Sequence, residues 1–183
     1  MLIPFITAVL VVLADQLSKH YLAPFLSELP GKTYPLIQDV LHLTYVENRG
    51  AAFGMLAEHR WVFMALSVIG LAAIALLAIH EKPSSRWIQV AVGLVLGGGI
   101  GNMIDRVRLG YVVDFIDCRF INFYVFNIAD SCVCVGCALY LLTVVITELR
   151  GKKNQTEEVE TADANEAEEA EKTDEGGGSQ ADV

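Results

Sequence analysis

Four apolar runs constrain the fold of this chain more than any other feature. A helix needs about 20 predominantly apolar residues to cross a bilayer, and such runs occupy residues 3–22, 61–79, 87–104 and 126–147. Within lipid, a spanning segment must pair its own backbone groups, so runs of this length indicate helices. The sequence therefore predicts an all-α integral membrane protein with four transmembrane helices, which places both termini on one side of the membrane.

The two longer connections between these runs have the character of strands. Within residues 23–60, the stretch from Leu41 to Val46 alternates in side-chain type, and a period of two is typical of a half-buried strand. Residues 110–124 are rich in Val, Phe, Ile and Tyr, and we expect them to be extended as well. Both connections emerge on the face opposite the termini, so the sequence predicts a small β-sheet at that membrane surface.

Acidic residues are concentrated at the C-terminal end. Residues 151–183 contain eleven acidic residues and three lysines, a net charge of -8, whereas the whole chain has a net charge of -9. This segment lacks the apolar surface needed to fold. We therefore predict a membrane-embedded domain at residues 1–150 and a disordered acidic tail at residues 151–183. The composition excludes a basic nucleic-acid-binding protein, so no nucleic-acid partner is expected.

Basic residues near the helix ends do not decide the orientation. The side with the short turn at residues 80–86 and the acidic tail has five of them, and the opposite side has six. The positive-inside rule needs a clear excess on one side. Charge alone therefore leaves the orientation open.

The four cysteines indicate neither a disulfide framework nor a zinc site. Cys132, Cys134 and Cys137 lie within the fourth apolar run, and Cys118 precedes it. Thiols in such runs usually behave as small apolar side chains. Structural zinc normally takes four ligands, which one Cys-x-x-Cys pair does not supply. We expect no metal and no cofactor.

Asp15 and Lys19 interrupt the first run. A charge at the centre of a transmembrane helix costs about 2.5–3.5 kcal/mol on insertion scales, so each ionisable residue there needs a partner or a function. Their i, i+4 spacing places them one above the other on a helix face. We interpret them as an ion pair that helps this helix to dock, in preference to a direct chemical role.

Glycines recur at every fourth position of the third run, at Gly93, Gly97 and Gly101. This spacing lets a neighbouring helix approach closely. The glycine cluster at residues 97–101 lacks the Lys-Ser/Thr of a phosphate-binding P-loop and follows no strand. The pattern therefore predicts helix packing and not nucleotide binding.

Polar residues gather where the third run ends and the fourth begins. They are Asn102, Asp105, Arg106, Asp114, Asn127 and Asp130. The first three share one helix face by their spacing, and so do the last two. Taken singly, Asp130 can be a helix cap and Asp114 an exposed strand residue. Two acids that reach the same membrane boundary beside amides and an arginine favour a site.

Two close carboxylates support acid–base chemistry without a metal or a covalent nucleophile. Because both cannot ionise easily, they share a proton. The ionised member takes a proton from water as the water attacks a carbonyl, and the protonated member polarises that carbonyl and assists departure of the amine. A Ser–His–Asp triad is poorly supported, since the four histidines are scattered and no serine occupies a nucleophile elbow.

Two other classes of protein remain open at this point. An ion-coupled transporter or channel uses intramembrane acids as a proton relay, but the acids of this chain cluster near one face. A structural subunit would use the glycine stripe to bind another membrane protein, which leaves the polar cluster unexplained. Cleavage of a peptide in detergent, without an ion gradient, separates an enzyme from both.

Five short motifs resemble those of the bacterial lipoprotein signal peptidases, the signal peptidase II family, and occur in the same order. They are DQLSK at 15–19, VENRGAAFG at 46–54, GNMIDR at 101–106, VVDF at 112–115 and FNIAD at 126–130. The match extends roughly from residue 8 to residue 147. Any one motif is weak, but five in order at these spacings are specific.

The resemblance implies a four-helix membrane aspartyl endopeptidase with a small extracytoplasmic sheet. It implies a place in the bacterial inner (cytoplasmic) membrane, with both termini cytoplasmic and the active site at the extracytoplasmic face. The substrates would be prolipoproteins that carry a diacylglyceryl group on a cysteine, cleaved just before that cysteine. Membrane lipid and globomycin-like peptide inhibitors would be further partners.

The resemblance also implies a set of site residues. By motif position, Asp114 and Asp130 would be the catalytic pair. The substrate-binding or positioning residues would be Asn48, Asn102, Arg106 and Asn127, and the residues that shape the site from the first helix would be Asp15 and Lys19. The acidic tail has no counterpart in the family core, so the resemblance implies nothing about it.

Overall fold

The computed structural model describes residues 2–50, 60–81, 83, 85–121 and 123–150. Four long helices lie within these residues: α1 (Leu2–Ser27), α2 (Arg60–Glu81), α3 (Arg86–Arg108) and α4 (Ile128–Arg150). All four are long and apolar enough to cross a membrane. The four predicted spans are therefore confirmed. The predicted tail at residues 151–183 and residues 51–54 of the second motif lie outside the described part of the chain.

The connections form a three-stranded antiparallel sheet in the order β1-β2-β3. The strands are β1 (Thr33–Ile37), β2 (Leu41–Asn48) and β3 (Val112–Cys118). The prediction of a small sheet built from both longer connections is confirmed. Sequence reasoning missed β1, because Pro35 interrupts it; an edge strand tolerates proline since one side of its backbone needs no partner.

Helix α3 packs closely against its neighbours through glycine. A Cβ atom on Gly97 would lie 2.7 Å from Val11 Cβ of α1, and one on Gly98 would lie 2.8 Å from Val133 Cγ2 of α4. Both distances are too short for a real side chain, so these positions require glycine. The prediction that the glycine stripe packs against another helix is confirmed, and Gly98 adds a second such contact on another side of α3.

The start of α4 differs slightly from the start of the fourth apolar run. The run begins at Phe126, but the helix begins at Ile128. Phe126 instead pairs with Ile116 of β3 through backbone hydrogen bonds, and Asn127 precedes the first helical residue. The two residues that hydropathy assigned to the span therefore connect the sheet to the helix.

Candidate active site

Asp114 lies on β3 and is buried. The antiparallel pairing of β2 with β3 brings Asn48 alongside, and Asn48 Nδ2 donates to Asp114 Oδ2 at 2.9 Å. Asn127 Nδ2 donates to the other oxygen, Asp114 Oδ1, at 2.7 Å. The alternative that Asp114 is an exposed strand residue is therefore wrong.

Asp130 lies in the first turn of α4 and forms a reciprocal cap with Asn127. The backbone N–H of Asp130 donates to Asn127 Oδ1 at 2.9 Å, and the backbone N–H of Asn127 donates to Asp130 Oδ2 at 3.2 Å. This is the pattern of a capping box, in which two otherwise unpaired donors are satisfied together. The remaining oxygen, Asp130 Oδ1, accepts from Asn102 Nδ2 at 2.7 Å. Asp130 is thus both a helix cap and part of the polar cluster.

Two asparagines connect the carboxylates. Asn127 Nδ2 donates to Asn102 Oδ1 at 3.0 Å, in addition to its bond with Asp114. Asn102 in turn donates to Asp130. One continuous network of side-chain hydrogen bonds therefore runs from Asp114 on the sheet to Asp130 on α4, with Asn127 in contact with both acids.

Lys19 of α1 supplies a buried positive charge beneath this network. Its Nζ lies 2.8 Å from Asp15 Oδ2, 2.9 Å from Asp105 Oδ2 and 3.0 Å from Asn102 Oδ1. The predicted Asp15–Lys19 ion pair is present, and a second carboxylate joins it. Asp15 also accepts from the backbone N–H of Ala129 at 3.1 Å, so it caps α4 from another helix.

Two further residues of this cluster were absent from the predicted site. Asp105 accepts from the backbone N–H of Val113 at 3.1 Å, directly before Asp114, and so fixes the start of β3. Gln16 Nε2 donates to Asp105 Oδ1 at 2.9 Å and to the carbonyl oxygen of Gly101 at 3.1 Å. Spacing had already placed Asp105 on one helix face with Asn102, but Asp105 was given no role in the site, and Gln16 was marked only by its place in the DQLSK motif.

Arg106 lies on α3 next to Asn102 and is half-buried. Its Nη1 donates to the carbonyl oxygen of Asn102 at 3.3 Å, and its charge interacts with Asp114 and Asp130. All eight predicted site residues, from Asp15 to Asp130, therefore lie in or beside one network. A cation near the pair offsets part of the repulsion between two carboxylates.

The surroundings of Asp114 favour its protonated form. Burial raises the pKa of Asp114, the hydrogen bond from Asn48 lowers it, and the charge of Asp130 raises it, for a net value of about 6. A carboxyl with such a pKa keeps its proton up to about pH 6, well above the range in which an ordinary aspartate ionises. That is the property required of the protonated member of a carboxylate pair.

Neither the cysteines nor the acids form a metal centre within the described residues. Cys118, Cys132, Cys134 and Cys137 are free thiols, and no group of three or more histidine, cysteine, aspartate or glutamate residues there has a geometry that could hold a metal ion. The two catalytic candidates are instead satisfied by amide and backbone donors. Such an arrangement suits proton transfer to and from water.

Comparison with known proteins identifies the family. The family model described as signal peptidase (SPase) II, Peptidase_A8, matches residues 7–146. A lipoprotein signal peptidase of Brevibacillus brevis is 39% identical over 151 residues, which cover 82% of this chain and 98% of that protein. A lipoprotein signal peptidase of Caldanaerobacter subterraneus subsp. tengcongensis is 46% identical over 126 residues, which cover 69% of this chain and 84% of that protein.

A solved structure shares the fold. A bacterial membrane enzyme determined by the in meso method at 2.3 Å is 35% identical, with a TM-score of 0.71, and the match covers 82% of this chain and 90% of that one. The resemblance carried by the five motifs is thus confirmed over nearly all of the described residues. The chain belongs to the signal peptidase II family.

Proposed function

We propose that Asp114 and Asp130 are the catalytic pair of this membrane aspartic endopeptidase, which removes signal peptides from prolipoproteins. Membership of the family supports the activity. The observation that supports the pair is the position of Asn127, which donates to Asp114 and forms the capping box with Asp130. One short segment thereby holds both carboxylates in a fixed relation, which a shared proton requires.

The two carboxyls have different surroundings, which suggests their roles. Asp130 stands at the N-terminus of α4, where the helix dipole favours a negative charge, whereas Asp114 lies on a strand that supplies no such dipole. Asp114, with a pKa of about 6, holds the shared proton. In this assignment Asp130 takes a proton from the attacking water, and Asp114 polarises the carbonyl of the scissile bond. Asp114 then helps the amine to leave.

We assign the remaining predicted residues to the substrate and to the support of the pair. Asn48 and Arg106 are half-buried beside the carboxylates, so a bound peptide can reach them. Asn102 and Asn127 are buried and orient the acids. Asp15 and Lys19 shape the site from α1 by fixing the positions of Asn102 and the first turn of α4. Globomycin-like peptides would bind at the same carboxylates and inhibit the enzyme.

The substrates are prolipoproteins that carry a diacylglyceryl group on the cysteine, and cleavage occurs just before this cysteine. The carboxylates stand where the sheet meets the apolar helices, so the acyl chains can stay in membrane lipid while the peptide bond reaches the acids. A protease in water would have to extract those chains, at about 0.8 kcal/mol per methylene.

A purified sample in detergent tests this function. It should cleave a diacylglyceryl-modified peptide without an ion gradient, and it should cleave the unmodified peptide much more slowly, because that peptide lacks the acyl chains. Mass spectrometry of the products locates the cleaved bond. Equal rates for the two peptides would contradict the substrate assignment, and no cleavage of either would favour a transporter or a structural subunit.

Removal of the Asn48 side chain should shift the pH profile of kcat. Activity needs the proton on Asp114, so kcat should fall as the pH rises through the pKa of about 6. The hydrogen bond from Asn48 stabilises the ionised form of Asp114, so Asn48→Ala should raise the pKa of Asp114. The fall in kcat on the alkaline side of the profile, its alkaline limb, should then move to higher pH. Gln38→Ala is the matched control, because the side-chain hydrogen bond that the structure describes for Gln38 goes to its exposed neighbour Asp39. An unchanged limb or a shift to lower pH would contradict the role of Asn48.

We further propose that the chain lies in the bacterial inner membrane with both termini cytoplasmic and the active site at the extracytoplasmic face. Lipidated precursors present their cleavage site on that face. Residues 1–150 then form the peptidase domain, and residues 151–183 form a disordered acidic tail in the cytoplasm. The even number of candidate spans supports a common side for the two termini.

Cysteine labelling on a cysteine-free background tests the orientation. Ser85→Cys and Gln155→Cys should react with a membrane-impermeant maleimide only after the membrane is permeabilised. Lys32→Cys should react in intact spheroplasts. In the proposed orientation the first two positions are cytoplasmic, and Lys32, in the turn before the sheet, is extracytoplasmic. The reverse labelling pattern would contradict the proposed orientation.

A further inference from the structure

The connection between β3 and α4 carries large apolar side chains that are more than half exposed. Phe120, Ile121, Phe123 and Tyr124 are 64%, 56%, 55% and 62% exposed, respectively. We refer to these four residues as the apolar loop residues. Leu13, in the middle of α1, is 52% exposed, a value typical of a side chain that lipid covers in a membrane protein. A group of four such side chains facing water would be unusual on a soluble surface.

The backbone of this connection is fixed at its base. Ile116 N donates to the Phe126 carbonyl at 2.7 Å, and Phe126 N donates to the Ile116 carbonyl at 3.0 Å. On the other side, Arg119 N donates to the carbonyl oxygen of Val40 at 3.0 Å, and its guanidinium donates to Thr33 Oγ1 at 3.2 Å. The apolar loop residues therefore belong to a connection whose backbone is held by β3 at Ile116 and by Val40, the residue before β2.

The connection is also continuous with a membrane-spanning segment. Tyr124 precedes Ile128, the first residue of α4, by four positions. Tyrosine and other amphipathic aromatic rings are enriched where a transmembrane segment leaves the hydrocarbon. Arg119, next to Phe120, keeps 40% of its side chain exposed and can reach the phosphates of lipid headgroups.

We propose that the apolar loop residues insert into the interfacial layer of the bilayer beside α4. The occupant of this surface is membrane lipid, at the boundary between headgroups and acyl chains. The pairing of Ile116 with Phe126 links the strand of Asp114 to the helix of Asp130. A connection held at the headgroups thus fixes the depth of both carboxylates relative to the membrane.

Tryptophan fluorescence in vesicles tests the insertion. Trp61→Phe and Trp87→Phe give a tryptophan-free background in the full chain, into which Phe120→Trp or Phe123→Trp is introduced. The vesicles contain phosphatidylcholine brominated near the headgroup end of its acyl chains. Leu13→Trp is the reference for lipid contact, and Gln155→Trp in the acidic segment is the reference for water. Both loop variants should lose fluorescence on bromination and emit at shorter wavelength than Gln155→Trp.

Two results would overturn the proposal. Unquenched emission at the wavelength of Gln155→Trp would place the loop in water. Unquenched but blue-shifted emission that depends on protein concentration would show that a second copy of the chain covers it.

A nitroxide attached to Ile121→Cys, on the cysteine-free background, gives an independent measurement if the tryptophan variants fold poorly. Its collisions with oxygen should exceed those with a water-soluble nickel chelate, because oxygen partitions into lipid. The opposite ratio would again overturn the insertion.

Discussion

Replacement of Asp114 or Asp130 by asparagine should lower kcat about 10²–10⁴-fold, because general acid–base catalysis contributes an effect of this size. Asparagine keeps the size of the side chain but can neither hold the shared proton nor accept one from water. Each carboxylate accepts hydrogen bonds at both oxygens. Each substitution therefore leaves one donor without an acceptor, at about 1–3 kcal/mol, and rates should be expressed per folded protein after a melting curve in detergent.

The double variant separates a pair from two independent groups. If the two carboxyls share one proton, Asp114→Asn with Asp130→Asn should be little worse than either single variant, because the first substitution already abolishes the shared function. If the fold-loss in kcat of the double variant equals the product of the two single losses, the two carboxyls act independently.

Asp117→Asn is the matched control on the same strand. Asp117 accepts from Thr44 and Arg119 on the sheet and makes no contact with the network of Asp114 among the bonds that the structure describes. This variant should retain most activity. Cleavage at a near wild-type rate by Asp114→Asn or Asp130→Asn would make the catalytic assignment wrong.

Hydropathy and periodicity predicted most of the fold. An apolar run must be helical to cross lipid, so the four spans follow from composition alone. The alternation from Leu41 to Val46 similarly predicted β2. Strand β1 could not be predicted, because Pro35 and four exposed positions out of five remove the alternation that marks a half-buried strand.

Most residues of the site could be predicted from the sequence, but the contacts between their side chains could not. Spacing places Asn102 on a helix face with Arg106, yet it cannot identify which side chain faces them from another helix. That Asp15 of α1 caps α4 at Ala129, across the bundle, depends on how the helices pack. The same limit hid Gln16, whose contacts with Gly101 and Asp105 span more than 80 positions of sequence.

The sequence also presented as alternatives two roles that the structure combines. From the sequence, Asp130 was interpreted either as a helix cap or as a site residue. In the structure the cap is what holds Asp130 against Asn127, and through Asn102 it joins the cluster. Local rules for helix ends were therefore correct, but they did not exclude function.

Substitution of Lys19 by methionine should destabilise the protein by about 3–5 kcal/mol, since removal of one partner leaves buried charges without compensation. Lys19 and Asp15 are almost fully buried, and Asp105 is as well, so water cannot replace the ammonium. Unfolding in mixed detergent, followed by circular dichroism, measures the change. Lys32→Met is the matched control, because the Lys32 side chain is exposed and lies near the ring of Tyr45 and the charge of Glu47, where water can replace the ammonium, so its loss should cost little.

Neutralising the two carboxylates together with Lys19 should recover much of that stability. In the triple variant Lys19→Met, Asp15→Asn, Asp105→Asn, the amide oxygens can still accept from the backbone N–H groups of Ala129 and Val113. Gln16 loses Asp105 Oδ1 as an acceptor but keeps the carbonyl oxygen of Gly101. These two backbone donors then keep their acceptors while all three buried charges are gone. Removal of a whole buried ion pair, unlike removal of one partner, is often neutral in other proteins. If the triple variant is as unstable as Lys19→Met alone, Lys19 stabilises the bundle through packing or through Asn102 and not by compensating charge. If Lys19→Met itself is as stable as the wild type, the ion pair does not hold α1 in place.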